Sequence, residues 1–417
     1  MLNEFIFGEL SQSEFRGNYL DKKPALLRGA SNLFKILNLD WIDEYLSSLD
    51  GSLHTFVRLI TNSKDEAFQA TNAYSFESQK SILEKKFQAG STLVIGDLDG
   101  RSDVVAKLSR NLESTFGGQI SSNAFLTPQG QTGFEIHFDP TSAFVVQLEG
   151  EKQWKVYARV SEFPTQQMLR KTTVEEHGEP VLDVLLRPGD VLYIPGGYPH
   201  APLCLDKHSL HVTLAVEAWR ASDLLAYQLN RLSHLHPALR RPLYLGDANA
   251  IEHMENAIGV LREQIDSIEA PQAVEEFRIA YNTNRPDANR HGLRSSAYSS
   301  YIQPTSAVVR VRDKPTSVRR NGESVTIYPA STIRPGRPLL VDPVRIDLPI
   351  YAATEVESIL TSDTPQRVSD IPGVLDISSK ITLVRRLMRY GLVEISTDSG
   401  SLEQAPIASS VEHGEQK

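Results

Sequence analysis

A single cysteine, Cys204, stands in 417 residues. No disulfide can close within the chain, and no site of several thiolates can be built. Such usage fits a reducing compartment. No stretch approaches the roughly 20 apolar residues that a membrane-crossing helix needs, so no membrane association is expected. Residues 1–6 lack a basic start and a long apolar run; no signal peptide is expected, and a cytoplasmic location is. Positive charge is not in excess either. The net charge is −9, whereas a general nucleic-acid binder is usually basic, so nucleic acid is not an expected partner. An acidic surface favours a basic partner by steering.

What is present is ordinary globular material, 40% hydrophobic and 23% charged, so disorder is expected only at the ends. The length implies two or three domains. Residues 1–120 mix helical patterns (11–15, 40–46, 103–116) with short apolar runs suited to strands (53–60, 91–95). Residues 121–217 read as successive strands at 123–127, 134–138, 143–148, 153–157, 181–186, 191–194 and 209–216, with a hairpin turn at 149–152. Short strands punctuated by Gly and Pro suggest a barrel or sandwich. From residue 221 the pattern turns helical, at 223–233 and 248–267. The second of these carries a broad apolar stripe, which self-association or packing on the first domain would bury. Residues 283–306 read as a linker. Beyond it come strands at 317–320 and 323–328, helices at 353–360, 367–374 and 378–390, and a strand at 391–395, an order that resembles a winged-helix module. The tail is polar and is expected to be disordered.

The chemistry centres on the run Gly133-Phe134-Glu135-Ile136-His137-Phe138-Asp139. Side chains two apart share one face of an extended strand, so His137 and Asp139 can reach one small object. Further on, a Pro-Gly-Asp turn, an apolar strand and a Pro-Gly-Gly turn lead to His200. Two imidazoles and one carboxylate with open positions suit non-haem Fe(II). His208 and His211 compete with His200 for the third place, although His211 lies within an apolar strand and reads as a buried, satisfied or orienting side chain. Taken singly, each histidine is better explained as a hydrogen-bonded structural residue than as a ligand. Iron of this kind needs an electron source to activate O₂. A 2-oxo acid serves by chelating the metal, and its far carboxylate then needs a cation. Lys152 is the candidate, against the alternative of a solvated hairpin lysine. Asn123 and Thr213 are candidates for neutral hydrogen bonds to the co-substrate, although from spacing alone they are ordinary strand residues.

Residues 123–128, the His137-Phe138-Asp139 run, residues 144–154, residues 187–195 leading to His200, and residues 209–214 together resemble the JmjC cupin family of ribosomal oxygenases. The resemblance implies a mixed α+β chain: a double-stranded β-helix (the JmjC/cupin jelly roll) over 1–220, a helical dimerisation region over 221–300, a winged-helix-like domain over 301–400 and a disordered tail over 401–417. It implies His137, Asp139 and His200 as Fe(II) ligands, Lys152 as the holder of the 2-oxoglutarate far carboxylate, and Asn123 and Thr213 near the co-substrate. It further implies a homodimer that hydroxylates a side chain of a protein or peptide, such as Arg or His of a ribosomal protein. A non-catalytic cupin-like binding protein and a winged-helix nucleic-acid-binding regulator are the alternatives. Loops 160–180 and 196–208 are expected to select the side chain that enters.

Overall fold

A computed structural model describes residues 4–396, apart from 33–34, 36, 50, 62–63, 69–77, 101, 170–175, 247, 284–291, 312–313, 315 and 330–344. The expected disordered tail and parts of the expected linker and of loop 160–180 lie outside the described residues. By internal contacts the chain divides into two compact units, Met1–Trp219 and Arg220–Lys417.

The first unit runs α1 (Glu4–Phe7), α2 (Gln12–Asn18), β1 (Ala25–Leu27), α3 (Leu39–Ser48), β2 (Val57–Thr61), β3 (Lys64–Ala67), α4 (Gln79–Gln88), β4 (Thr92–Ile95), α5 (Asp103–Phe116), β5 (Gln119–Thr127), β6 (Ser142–Val156), β7 (Leu182–Leu186), β8 (Val191–Ile194) and β9 (His200–Glu217). The nine strands form one antiparallel sheet in the order β1-β8-β6-β9-β5-β4-β2-β3, with β7 added on β6. Local chemistry sets the helix limits. Ser11 and Glu14 form a reciprocal capping box at the start of α2, which satisfies two otherwise orphaned N–H groups. Ser102 caps α5, and Gly117 ends it in the left-handed conformation.

The sheet is two-faced because side chains alternate. Along β5 the burial pattern alternates strictly over Gln119–Phe125. Ala124, Leu126, Phe144, Val146, Val212 and Leu214 join the apolar cluster that Phe7, Phe15, Leu46, Leu108 and Leu112 of the helices complete. Their neighbours Asn123, Phe125, Ala143, Val145, His211 and Thr213 turn the other way and line a cavity.

Three local expectations change. Residues 134–138 are not a strand; that segment makes a single bridge, His137 to His200. The expected hairpin at 149–152 is absent as well, because β6 continues through it as one strand of 15 residues. Its pairing with β9 shifts register between Gln147 and Glu149 and again between Gly150 and Lys152. These are bulges, which bend a strand without ending it. Gly150 sits there at φ +66°, and a Cβ on it would lie 1.9 Å from the His208 carbonyl oxygen. Glycine is therefore required for close backbone approach, not for a reversal. Likewise β9 begins at His200, so most of the expected loop 196–208 is strand.

The second unit runs α6 (Ala221–Leu235), α7 (Pro237–Arg240), α8 (Ala250–Ile265), α9 (Ala270–Thr283), α10 (Gly292–Ser299), β10 (Ala307–Arg310), β11 (Thr316–Asn321), β12 (Ser324–Pro329), β13 (Ile346–Pro349), α11 (Ala353–Thr361), β14 (Gln366–Arg367), α12 (Ile377–Arg389) and β15 (Val393–Ile395). Two three-stranded sheets, β14-β10-β15 and β11-β12-β13, share a core that includes Val325, Ile327, Val356, Val384 and Leu387. The helix expected at 367–374 is instead the β14 strand and a 3-10 turn over Val368–Asp370. Residues 292–299, expected within a linker, form α10. No residue of α8 is buried. Among the described residues no helix is long and apolar enough to cross a membrane.

Candidate active site

The cavity inside the sheet holds about 290 Å³ and is lined by His137, Asp139, His200, Lys152, Asn123 and Thr213 together. All six residues singled out by sequence therefore meet in one place, although they span β5, β6, β9 and an irregular segment.

The segment 137–139 is fastened to the start of β9 by backbone bonds. His137 N donates to His200 O, His200 N to His137 O at 2.8 Å, and Gly197 N to Asp139 O at 3.0 Å. Ile136 and Phe138 are buried between the half-buried His137 and Asp139, so the two-residue alternation holds without a strand. The imidazoles of His137 and His200 lie with ring centroids 4.5 Å apart. His200 Nε2 is 3.7 Å from Asp139 Oδ2. One nitrogen or carboxylate oxygen from each of the three lies within 4.8 Å of the others.

Second contacts set the tautomers. His137 Nδ1 is 2.8 Å from the carbonyl of Glu135, and His200 Nδ1 is 3.0 Å from that of Tyr198. A carbonyl only accepts, so each Nδ1 carries a proton, and each Nε2 is the nitrogen left for a metal. Burial, followed by the charge of His137, pushes the His200 pKa down to about 4, so His200 is neutral near pH 7. Two imidazoles with carbonyl-anchored backs and one carboxylate are a donor set that fits a divalent transition metal. His208 is removed from competition by Glu149, 3.0 Å from its Nε2.

Lys152 is 1% exposed. It pairs in register with Leu186 on one side and Cys204 on the other. Its Nζ donates to Thr127 Oγ1 at 2.9 Å, and among the described residues no carboxylate faces it. Desolvation pushes its pKa down to about 8, only partly offset by Cys204. A buried ammonium without a counter-charge is unfavourable, so this end of the cavity suits an anion. Asn123 and Thr213 are register partners across β5 and β9.

Three further residues belong to the site. Thr127 holds Lys152. Trp154 places its ring 5.8 Å from His200 and 5.6 Å from His211. His211 lines the cavity, buried but not satisfied: its Nδ1 has no hydrogen-bond partner among the described residues. Counting by twos from Asn123 to Thr127 and from Lys152 to Trp154 would have found the first two.

Residues 101–224 match the JmjC domain family. Ribosomal oxygenase 1 of Gallus gallus is 32% identical over 222 residues, 51% of this chain and 36% of that protein. The human Ribosomal oxygenase 1 is 40% identical over 134 residues, 31% of this chain and 21% of that protein. The Aedes aegypti protein named bifunctional lysine-specific demethylase and histidyl-hydroxylase NO66 is 29% identical over 62% of this chain and 42% of its own length. The chain thus spans about a third of the length of the curated relatives it matches. Among solved structures, the Escherichia coli ribosomal oxygenase YcfD superposes with a TM-score of 0.55 at 16% identity, covering 93% of this chain and 98% of that one. Another structure of YcfD, in complex with cobalt and 2-oxoglutarate, gives a TM-score of 0.54 at 15% identity over 94% and 99%. At this identity the likeness is one of fold: mixed helix and sheet around a large antiparallel sheet. Residues 101–224 match the JmjC domain family, and about half of this chain is similar to part of proteins named ribosomal oxygenase.

Proposed function

We propose that this protein is an Fe(II)- and 2-oxoglutarate-dependent oxygenase that hydroxylates a side chain of a protein or peptide. The observation that carries the proposal is the pairing, in one cavity, of a three-residue metal-binding cluster with a buried ammonium that lacks a counter-charge. A divalent metal and a dicarboxylic co-substrate answer both at once. The printed names of the relatives support the reaction class, since they include a histidyl-hydroxylase and a ribosomal oxygenase. A YcfD structure in complex with cobalt and 2-oxoglutarate supports the cofactor pair.

In this reading His137, Asp139 and His200 hold the metal through Nε2, a carboxylate oxygen and Nε2. Iron(II) and 2-oxoglutarate, when bound, supply the activation of O₂ and the oxidation of the substrate C–H bond. The chain supplies placement. The carbonyls of Glu135 and Tyr198 keep the imidazole rings turned toward the metal position. Lys152 neutralises the far carboxylate, and Thr127 fixes its ammonium. Asn123 and Thr213 border the co-substrate. Trp154, 5% exposed, keeps water from the space between cation and metal.

The substrate we propose is a ribosomal protein presenting Arg or His, in line with the relatives' names. We further propose a cytoplasmic homodimer, with 221–300 as the dimerisation region and 301–400 as a winged-helix-like module. The bare apolar side of α8 supports the dimer: Ile251 is 73% exposed, and Met254, Ile258 and Ile265 are also open. The module's best basic helix argues against nucleic-acid recognition, because Arg385 donates to the carbonyls of Ser300 and Ile302.

The test is to load the purified protein with Fe(II) and follow succinate release from 2-oxoglutarate with peptides of ribosomal proteins. Succinate accompanied by one added oxygen on a peptide is expected. Iron binding with no succinate, whichever peptide is supplied, would make this a non-catalytic cupin-like binding protein.

A further inference from the structure

One polar side chain in the cavity is left over once the metal cluster and the cation have been assigned. His211 is 2% exposed. Its ring lies flat on Phe125, centroids 4.9 Å apart at 5°, and meets Trp154 nearly edge-on at 5.6 Å and 83°. Stacking on Phe125 fixes the plane of the ring and covers one of its faces. The nitrogens of an imidazole bond in the plane of the ring, so its hydrogen-bonding edge stays available. Among the described residues, Nδ1 finds no partner and is sealed from solvent. An apolar ring would fill the same place without leaving a buried polar group unmatched, a defect that native interiors rarely keep.

Two facts say what the missing partner is. His211 and Lys152 line the same cavity, and the charge of Lys152 reaches His211: after burial, it is the second reason that the His211 pKa is held well below 6.5. The ring is therefore neutral and carries one N–H. That N–H needs an acceptor, and its neighbour is a cation that also needs one. A single carboxylate satisfies both. A neutral donor beside an ammonium adds direction without adding like-charge repulsion.

Building on the function proposed above, we infer that His211 donates a hydrogen bond to the far carboxylate of the 2-oxo diacid, so that this carboxylate is held by two donors, Lys152 and His211. His211 is then a binding residue that makes the site prefer a diacid over a 2-oxo monoacid.

Titration calorimetry on the Mn(II)-loaded full chain tests this without turnover. 2-Oxoglutarate and 2-oxobutanoate, which lacks the far carboxylate, are compared on wild type, His211→Phe and His211→Gln. In H211F the ring stacking survives and the N–H is gone. Its affinity for 2-oxoglutarate is expected to fall about tenfold or more, its affinity for 2-oxobutanoate and for Mn(II) to stay put, and H211Q to recover part of the loss. Unchanged 2-oxoglutarate affinity in H211F, or an equal loss for both acids, overturns the inference. Should H211F not fold, His211→Met removes the donor with a more adaptable side chain and is read in the same way. A wild-type protein that binds no 2-oxoglutarate would sink the parent reading itself, a result distinct from a wild type that binds and an H211F that binds equally well.

Discussion

Lys152, which lines the cavity, donates from Nζ to the buried Thr127 Oγ1 at 2.9 Å. A hydroxyl accepts from the ammonium but cannot neutralise it, so the charge awaits an anion. Lys152→Met is expected to weaken 2-oxoglutarate binding by a hundredfold or more while leaving metal binding intact, as read by calorimetry. pH adds a second signature. The pKa of Lys152 is lowered from 10.5 to about 8, chiefly by desolvation. Above pH 8 the ligand-free protein gives up the proton that the bound anion requires, so affinity falls about tenfold per pH unit. Between pH 8 and 10.5 the unfolded chain holds that proton and the folded chain does not. Stability of the ligand-free protein therefore rises with pH across that window, and K152M should flatten both trends.

In the proposed site the metal would rest on His137, Asp139 and His200, which cluster together among the described residues. His137→Ala is expected to abolish stoichiometric binding of Fe(II) or Co(II) at micromolar concentration and, with it, any turnover. A chelator should reproduce the loss in the wild type, and added metal should reverse it. Binding by H137A at wild-type affinity would mean that His208 or another group takes the place.

The acid side belongs to His200. Its folded pKa is pushed down from 6.5 to about 4, first by burial and next by His137. Between those values the unfolded chain takes up a proton that the folded chain refuses. Stability of the metal-free protein is thus expected to fall as pH drops from 6.5 toward 4, and no further from this group below that. His200→Gln should shrink the slope in melting curves taken across this range.

Gly150→Ala tests the bulge. The new Cβ would meet the His208 carbonyl oxygen at 1.9 Å with φ at +66°. Two penalties coincide there, a left-handed backbone and a backbone collision, so a loss of roughly 3 kcal/mol or more is expected, seen as a lower melting temperature. A variant as stable as wild type would mean that the two strands separate easily at this point.

For the helical segment, Ile251→Glu together with Ile258→Glu is expected to convert a dimer to monomer in sedimentation without unfolding it, since both side chains are exposed within the chain. A wild type that sediments as monomer at micromolar concentration removes the dimer.

The site was more legible in the sequence than the backbone that carries it. Alternation by two places His137 and Asp139 together, and it does so whether or not a full strand forms, because Ile136 and Phe138 anchor the same segment. The turn residues 149–152 misled. Gly within polar neighbours suits a hairpin, but the same glycine suits a bulge, and only the partner strand at His208 and Ser209 decides between them. His211 shows the opposite limit. Its burial follows from the apolar strand around it, but whether a buried histidine is satisfied depends on partners distant in sequence. The helix α10 reads as linker because Arg and Ser make up half of its residues, whereas α9 carries Ala273, Phe277 and Ala280 buried at helical spacing, a signal that the sequence did offer.

The single long β6 pairs with β7, β8 and β9, and β9 delivers His200 last. During synthesis, His137, Asp139, Asn123 and Lys152 all leave the ribosome before the strand that completes their site. Until about residue 217 has emerged and zipped between β5 and β6, two ligands and a lone ammonium have no enclosure. Contacts this distant along the chain make closure slow. In the proposed reading, tight metal capture then becomes a timestamp: it marks the moment β9 joins β5 to β6.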